Sequence, residues 1–390
     1  MTVVERFMEY VTYETTSDES SDTCPSTACQ KVLGERLAED LRLVGLTDAA
    51  MDEYGYVYGH LPASPGCENA PKIGLIAHMD TSPDVSGRNV KPRIITYDGQ
   101  NAFMLEDRFL GKDMIVTDGT TLLGADDKAG IAEIVAACAE LTAHPERKHG
   151  PISVCFTPDE EIGSGADRFD YARFHADYAY TVDGEDLDEF VDETFNGASA
   201  ELVIHGFNTH PGSAKDTMRN AVLYAAEWIS MLPAAETPAH TEGREGFYHV
   251  ASVSGCESEV RMHMLVRDHD RAKFEERKAF LTRLAAFLND KYGAGTFSLT
   301  IEDSYYNMRE KLEPYPEITE RAMNAMRRAG LHPTAVPIRG GTDGCRLSYE
   351  GLPCPNLPTG AINIHSIHEA IPVEALYTMV QVILNLVEAE

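Results

Sequence analysis

The chain has 390 residues, of which 33 are basic and 63 acidic, for a net charge of -30 at pH 7; 43% of residues are hydrophobic and 25% charged. Those proportions belong to a folded globular protein, and the length points to two domains rather than one. The acidic balance argues against nucleic acid and anionic membranes as partners.

At the N-terminus, Val3 to Val11 repeats apolar residues at helical spacing, and its early acids and broken apolar pattern are not those of a secretory signal. A second helical pattern runs from Cys29 to Val44, where Gly45 stops it. Three short apolar runs then read as buried strands: Lys72 to Ala77, Ile152 to Phe156 and Tyr178 to Val182. Between the first two, Ile131, Ile134, Val135, Cys138 and Leu141 share one helical face. This alternation predicts an α/β domain with a largely parallel sheet.

From Ala198 the order changes to strand (201–205), helix (215–232), two strands (248–254 and 259–266), helix (271–292) and strand (296–301). That is the β-α-β-β-α-β order of a ferredoxin-like unit. After Pro314 and Pro316 the α/β texture returns, closing in a helix with Leu376, Met379, Val380, Ile383, Leu384 and Val387 on one face. The expected division is residues 1–197 with 314–390 as one domain and 198–313 as an insert. The eight cysteines form no CxxC pair and several lie in apolar runs, so reduced thiols in the cytosol are expected. No apolar run is long enough to span a bilayer.

The chemistry gathers where these elements end. His78 and Asp80 follow the first strand, and period-two alternation points them the same way. Asp126 and Asp127 open the first long helix. One acid there is explained as a cap or dipole partner; the second has no such explanation and is a candidate ligand. The next strand ends in Asp159, Glu160 and Glu161, and the one after it in Asp183. In an open α/β sheet this edge is where ligands bind. Further imidazoles, His365 and His368, follow a short apolar run near the C-terminus. Carboxylates buried together cost several kcal/mol each unless cations or protons accompany them, so such a site should hold metal or protons.

Seven segments, in order, resemble the peptidase T group of the M20 metallopeptidases: His78-Met-Asp-Thr-Ser-Pro-Asp84, Thr117 through Ala132, Phe156-Thr-Pro-Asp-Glu-Glu161, Tyr180-Thr-Val-Asp-Gly184, Ser304 through Glu310, Ile338 through Gly344, and Gly351 through Leu357. The resemblance spans essentially the whole chain. It implies a doubly wound mixed-sheet catalytic domain of zinc-exopeptidase type with an inserted ferredoxin-like lid. It also implies two Zn2+ per subunit, with Co2+ or Mn2+ as substitutes, held by His78, Asp126, Glu161, Asp183 and His365, Asp126 being the bridge. His365 is preferred to His368 because it precedes Glu369 by four residues. Asp80 falls where the family orients its ligand histidine and Glu160 where it has its general base. His210, Arg267, Asn307 and Arg339 match substrate-binding positions. The implied activity is removal of the N-terminal residue from short peptides, chiefly tripeptides, in the cytoplasm; a homodimer through the lid is left open. Another M20 activity (dipeptidase, carboxypeptidase or amide deacetylase) is the enzymatic alternative, and a noncatalytic peptide-binding protein the other. Two departures stand out: the stretch from Gly99 to Lys112 is shorter than in the family, and Ile364 replaces a tyrosine before His365.

Overall fold

The computed structural model describes residues 1–100 and 103–389. The chain divides into two compact units, Met1–Asp192 with Met308–Val336 and Thr342–Glu390, and Glu193–Asn307 with Pro337–Gly341. The insert expected at 198–313 therefore compares with a second unit that begins at Glu193, ends at Asn307 and also takes in a five-residue return, Pro337–Gly341.

The first unit is built on an eight-stranded sheet in the order Ala50–Met51, Val57–Leu61, Ile152–Thr157, Ile73–His78, Tyr178–Gly184, Asn356–Pro358, Glu189–Glu193, Thr334–Pro337. Its centre is parallel: Ile73 pairs with Ile152 on one side and Tyr178 on the other, and His78 pairs with Thr157. Val57–Leu61 runs antiparallel to Ile152–Thr157, and Asn356–Pro358 meets Glu189–Glu193 antiparallel, so the sheet is mixed. The "largely parallel" expectation is correct for the centre and fails at the flanks. There the strands lack the continuous apolar runs that mark burial on both faces.

The helix Ala125–Ala143 is covered nearly all round, by strand Ile73–His78 and by the helices Val3–Tyr10 and Val373–Val387. Ile131, Ile134, Val135, Cys138 and Leu141 are all buried. Each fully buried aliphatic side chain contributes roughly 1.5 to 3 kcal/mol relative to exposure, so this helix anchors the unit. It lies so close to the sheet that a Cβ on Gly130 would sit 2.0 Å from the Val182 carbonyl oxygen. A separate three-stranded antiparallel sheet joins Ala370–Pro372, Asp113–Val116 and Arg93–Thr96, and fixes the loop that precedes Ala370.

The second unit is a four-stranded antiparallel sheet in the order Phe247–Gly255, Glu259–Asp268, Asn196–His205, Phe297–Tyr305. With its helices Ala221–Met231 and Arg271–Tyr292 this is the ferredoxin-like order expected. Val260, Met262, Met264 and Val266 alternate into the core against Trp228, Phe274, Leu281 and Leu288. The first helix begins at Ala221, not Lys215. Asn220 ends the extended approach, its side chain accepting from the Val222 and Leu223 N–H groups, and Arg219 upstream is held in a bridge to Phe207. All eight cysteines are free thiols, and Cys138, Cys155, Cys345 and Cys354 are buried. No helix among the described residues is long and apolar enough to cross a membrane.

Candidate metal centre

Four stretches of the first unit end at one edge of the parallel strands and deliver the candidate residues. Strand Ile73–His78 ends in a buried imidazole whose Nε2 lies 2.9 Å from Asp126 Oδ1 and 3.3 Å from Asp183 Oδ1. Asp126 enters the N-terminus of its helix with extended rather than helical backbone (φ -85, ψ 102), which turns its carboxylate away from the helix and toward the sheet edge. Its second oxygen lies 3.2 Å from His365 Nε2, and the same ring nitrogen is 2.9 Å from Glu161 Oε2.

Two groups of potential ligands result, His78 with Asp126 and Asp183, and Asp126 with Glu161 and His365; within each, the donor atoms all lie within 4.8 Å of one another. Asp126 belongs to both and offers one oxygen to each. The structure thus brings together all five residues of the expected ligand set, on three carboxylates and two imidazoles. The His365 ring faces Asp126 and Glu161, whereas no side-chain partner of His368 is found among the described residues.

The groups behind these five are as ordered as the five themselves. His78 Nδ1 lies 3.1 Å from the Asp80 carbonyl oxygen and 3.3 Å from Asp80 Oδ1, which fixes the ring with Nε2 outward. The Asp80 carboxylate also accepts the Glu160 N–H at 3.0 Å and the Glu161 N–H at 3.1 Å. One buried acid therefore holds both a candidate ligand histidine and the start of the 3₁₀ turn Glu160–Ile162. Asp127, the alternative ligand in the sequence, is wholly buried and turned backward: Oδ2 accepts the His78 N–H at 3.0 Å. Glu369 accepts three backbone N–H groups, from Leu123 and Gly124 at 2.7 Å and Asp126 at 3.0 Å. It is the anion at this helix N-terminus and ties the His365 loop to Asp126.

Electrostatics show what such a set lacks. Burial alone would strip His78 of its proton, but Asp183 and the hydrogen bonds to Asp126, Asp183 and Asp80 outweigh it and hold its pKa well above the ordinary value. Hydrogen bonds to Asp126 and then Glu161 push His365 up to about 11. Burial raises Asp183 to about 6, and burial with the Asp126 charge raises Glu161 to about 7. Glu160 lies well above the usual carboxylate range, first from burial, then from the charge of Asp183. Glu161 Oε1 is buried with no hydrogen-bond partner among the described residues. Two imidazoles with raised pKa values thus sit among three carboxylates, one of which keeps a buried oxygen without a partner among the described residues. A pair of divalent cations fits: it would satisfy that oxygen and neutralise three carboxylates.

Asp343 was not singled out in the sequence. It is buried, accepts from the Thr157 hydroxyl at 2.9 Å and is raised to about 7 by burial. Its charge reaches His78, Asp80, Asp183 and Glu160. The only signal for it was its place in the Ile338–Gly344 segment.

The other expected residues lie in the second unit. His210 is exposed, and its Nδ1 accepts from the Gly212 N–H at 3.1 Å, which leaves Nε2 as the protonated nitrogen of the neutral ring. Arg267 donates to the Ala198 and Val266 carbonyls and stacks over Tyr305. Asn307 is buried and bonded to Thr194 N and the His269 carbonyl. Arg339 donates to the Gly243 and Glu245 carbonyls and the Thr241 hydroxyl, over the rings of Phe195 and Phe247. Asn307 and Arg339 thus have built-in partners that sequence alone did not disclose.

Residues 74–389 match the family model described as Peptidase family M20/M25/M40. A protein called Peptidase T from Clostridium novyi (strain NT) is 49% identical over 401 aligned positions, covering 99% of this chain and 98% of that protein. Another Peptidase T, from Halothermothrix orenii, is 50% identical with the same coverage. Among solved structures, aminopeptidase PepT from Bacillus cereus superposes with a TM-score of 0.79 at 24% identity, over 99% of this chain and 97% of that one. The Bacillus subtilis YXEP protein, titled a dinuclear metal binding peptidase, superposes with a TM-score of 0.67 at 14% identity, over 99% and 96%.

Proposed function

The chain belongs to peptidase family M20/M25/M40, and from that premise we propose that it is an aminopeptidase that releases the N-terminal residue of short peptides, chiefly tripeptides. The observation that carries the reading is the double ligand group sharing Asp126, with Glu160 beside it. The specificity rests on relatives called Peptidase T that match end to end at 49 to 50% identity.

His78, Asp126 and Asp183 would hold one ion and Asp126, Glu161 and His365 the other. Mixed imidazole and carboxylate donors suit zinc, with cobalt or manganese as substitutes. A bound ion pair supplies a water acidified toward neutrality and polarises the scissile carbonyl. Asp80 keeps the His78 ring in register and, through its two N–H bonds, sets the direction of Glu160. Glu160 accepts the proton of the attacking water and delivers it to the leaving amine. Cations held there would counter the charge of Asp183, which together with burial raises the pKa of Glu160. The first unit is the catalytic domain and the second the lid of this proposal. From the second unit, His210 offers its Nε2–H as a donor to developing oxyanion charge, and Arg267, Asn307 and Arg339 complete the proposed substrate-binding set. Cytoplasmic location and a homodimer through the second unit, whose helix Ala221–Met231 exposes Val222, Leu223, Ile229 and Met231, belong to the same proposal.

Zinc-loaded protein is expected to convert Met-Gly-Gly to methionine and Gly-Gly, and to lose that activity with a chelator. Release of free glycine with Met-Gly would overturn the aminopeptidase reading in favour of a carboxypeptidase. Turnover of N-acylated amino acids alone would favour the deacetylase.

A further inference from the structure

The acid turn that carries both Glu160 and Glu161 begins at a residue with no role so far, Asp159. It is buried, and its backbone is left-handed at φ 57, a conformation disfavoured for any residue with a Cβ. Something must hold it there.

What holds it comes from far away in the chain. Asp159 Oδ2 accepts from the Ser26 N–H at 2.7 Å, and Oδ1 accepts from the Ser26 hydroxyl at 2.5 Å and from Gln30 Nε2 at 2.7 Å. The other end of the Gln30 carboxamide, Oε1, accepts from the Asp159 N–H at 3.3 Å. Gln30 is wholly buried and Ser26 nearly so. Gln30 thus grips Asp159 at two points, side chain and backbone, and Ser26 at two more. On the turn's other flank the Asp80 carboxylate takes the Glu160 and Glu161 N–H groups. The first of three consecutive residues is pinned from one flank and the next two from the other, and those two are the base and a ligand of the proposed reaction.

A buried side chain that only filled space would need none of this. A packed Leu would serve at position 30, and burying the carboxylate of Asp159 costs free energy that these bonds must first repay. The bonds have directions, however, and directions are what fix a turn. We propose that Gln30, with Ser26, is a positioning residue of the hydrolytic reaction, acting through Asp159 to hold the Glu160–Glu161 turn at the angle that aims Glu160 at the attacking water. The inference rests on the peptidase reading for its kinetic consequence and on the geometry alone for its structural one.

Two readouts separate those. The zinc-loaded full chain is compared with Gln30→Leu, Gln30→Glu and the double variant Gln30→Glu with Asp159→Asn. Steady-state hydrolysis of Met-Gly-Gly, bound zinc per chain, thermal midpoint and hydrogen exchange across 157–163 are measured on each. Gln30→Leu is expected to keep two zinc ions, to lower kcat about 10- to 100-fold with KM within about twofold, the scale seen when partners behind a metal site are lost, and to speed exchange of the Glu160 and Glu161 amides. Gln30→Glu sets two carboxylates face to face and is expected to fall further. In the double variant the donor and acceptor exchange sides, and at least tenfold of the kcat loss of Gln30→Glu returns.

A Gln30→Leu enzyme that melts earlier but keeps wild-type kcat would overturn the proposal, because the clamp would then serve stability alone. So would a double variant no better than Gln30→Glu. Should Gln30→Leu fail to fold, the Gln30→Glu and double-variant pair decides by the same rescue. If the wild type hydrolyses no tripeptide, the peptidase reading fails, and exchange at Glu160 and Glu161 then judges the clamp: protection lost in Gln30→Leu supports it, protection kept overturns it.

Discussion

Glu133 is a buried acid that nothing among the described residues compensates. It lies in the middle of the helix Ala125–Ala143, wholly buried, and neither of its carboxylate oxygens has a hydrogen-bond partner among the described residues. Burial is the sole cause that lifts its pKa well above 4.5. In the folded state it is therefore a neutral acid, while in the unfolded chain it ionises above about pH 4.5. Over the window between those two pKa values the folded state binds one more proton than the unfolded state. Stability then falls as pH rises, by about 1.4 kcal/mol per pH unit, until the folded carboxyl itself ionises. Glu133→Gln keeps the shape and polarity of the neutral acid and removes the titration. The two proteins should be nearly equal in stability at pH 4.5, with the variant gaining about 1.4 kcal/mol per unit above it. At about 2.1 cal/mol/K per residue, a chain of 390 residues shifts by roughly 1.2 °C per kcal/mol, which separates the thermal midpoints by about 1.7 °C per pH unit. Differential scanning calorimetry of both proteins in chelator, from pH 4.5 to 8, measures it. A difference in midpoint that does not change with pH would refute the reasoning, since it would mean that Glu133 ionises in the folded state with a partner such as bound water or ions.

Glu160→Ala is expected to retain both metals, by elemental analysis, while kcat drops about 10²- to 10⁴-fold, the usual contribution of a general base. Gly130→Ala places a methyl group 2.0 Å from the Val182 carbonyl. The helix must then leave the strand, and overpacking of at least about 1 to 3 kcal/mol should appear as a lower denaturant midpoint. Removing metal with a chelator should lower the thermal midpoint as well as activity, and adding zinc, cobalt or manganese back should restore it by mass action, rising with metal concentration. A midpoint indifferent to metal would count against the five ligands.

The elements that sequence disclosed were those whose burial is one-sided or complete. Ile131, Ile134, Val135, Cys138 and Leu141 announce their helix by period, and the strands ending in His78, Thr157 and Gly184 by short, mainly apolar runs. The flanking strands Val57–Leu61 and Glu189–Glu193 mix polar and apolar residues without such a pattern and went unread. At the site, the five candidate ligands were legible chiefly through the resemblance, since residues separated by up to 287 positions along the chain carry no local mark of meeting. What stayed hidden was the layer of backbone acceptors. Glu369 served only as a spacing landmark, yet it takes three N–H groups some 243 to 246 residues upstream. Asp127 read as interchangeable with Asp126, and the non-helical backbone at both residues goes with their different partners, the His78 N–H for Asp127 and the two imidazoles for Asp126. Main-chain donors belong to every residue alike, so no side-chain pattern betrays which acid will collect them.

Because Glu160 and Glu161 are consecutive and hang from the same Asp80 carboxylate, they share one lever arm. On the proposed roles, a rigid shift of the whole segment would reach ion and proton together, whereas loosening it from the Asp159 side would be felt first in proton transfer, with the other four candidate ligands still holding the ions. Metal preference is better altered across the centre, among the residues packed beside Asp183, with the Asp183 carboxylate itself kept because its charge acts on Glu160.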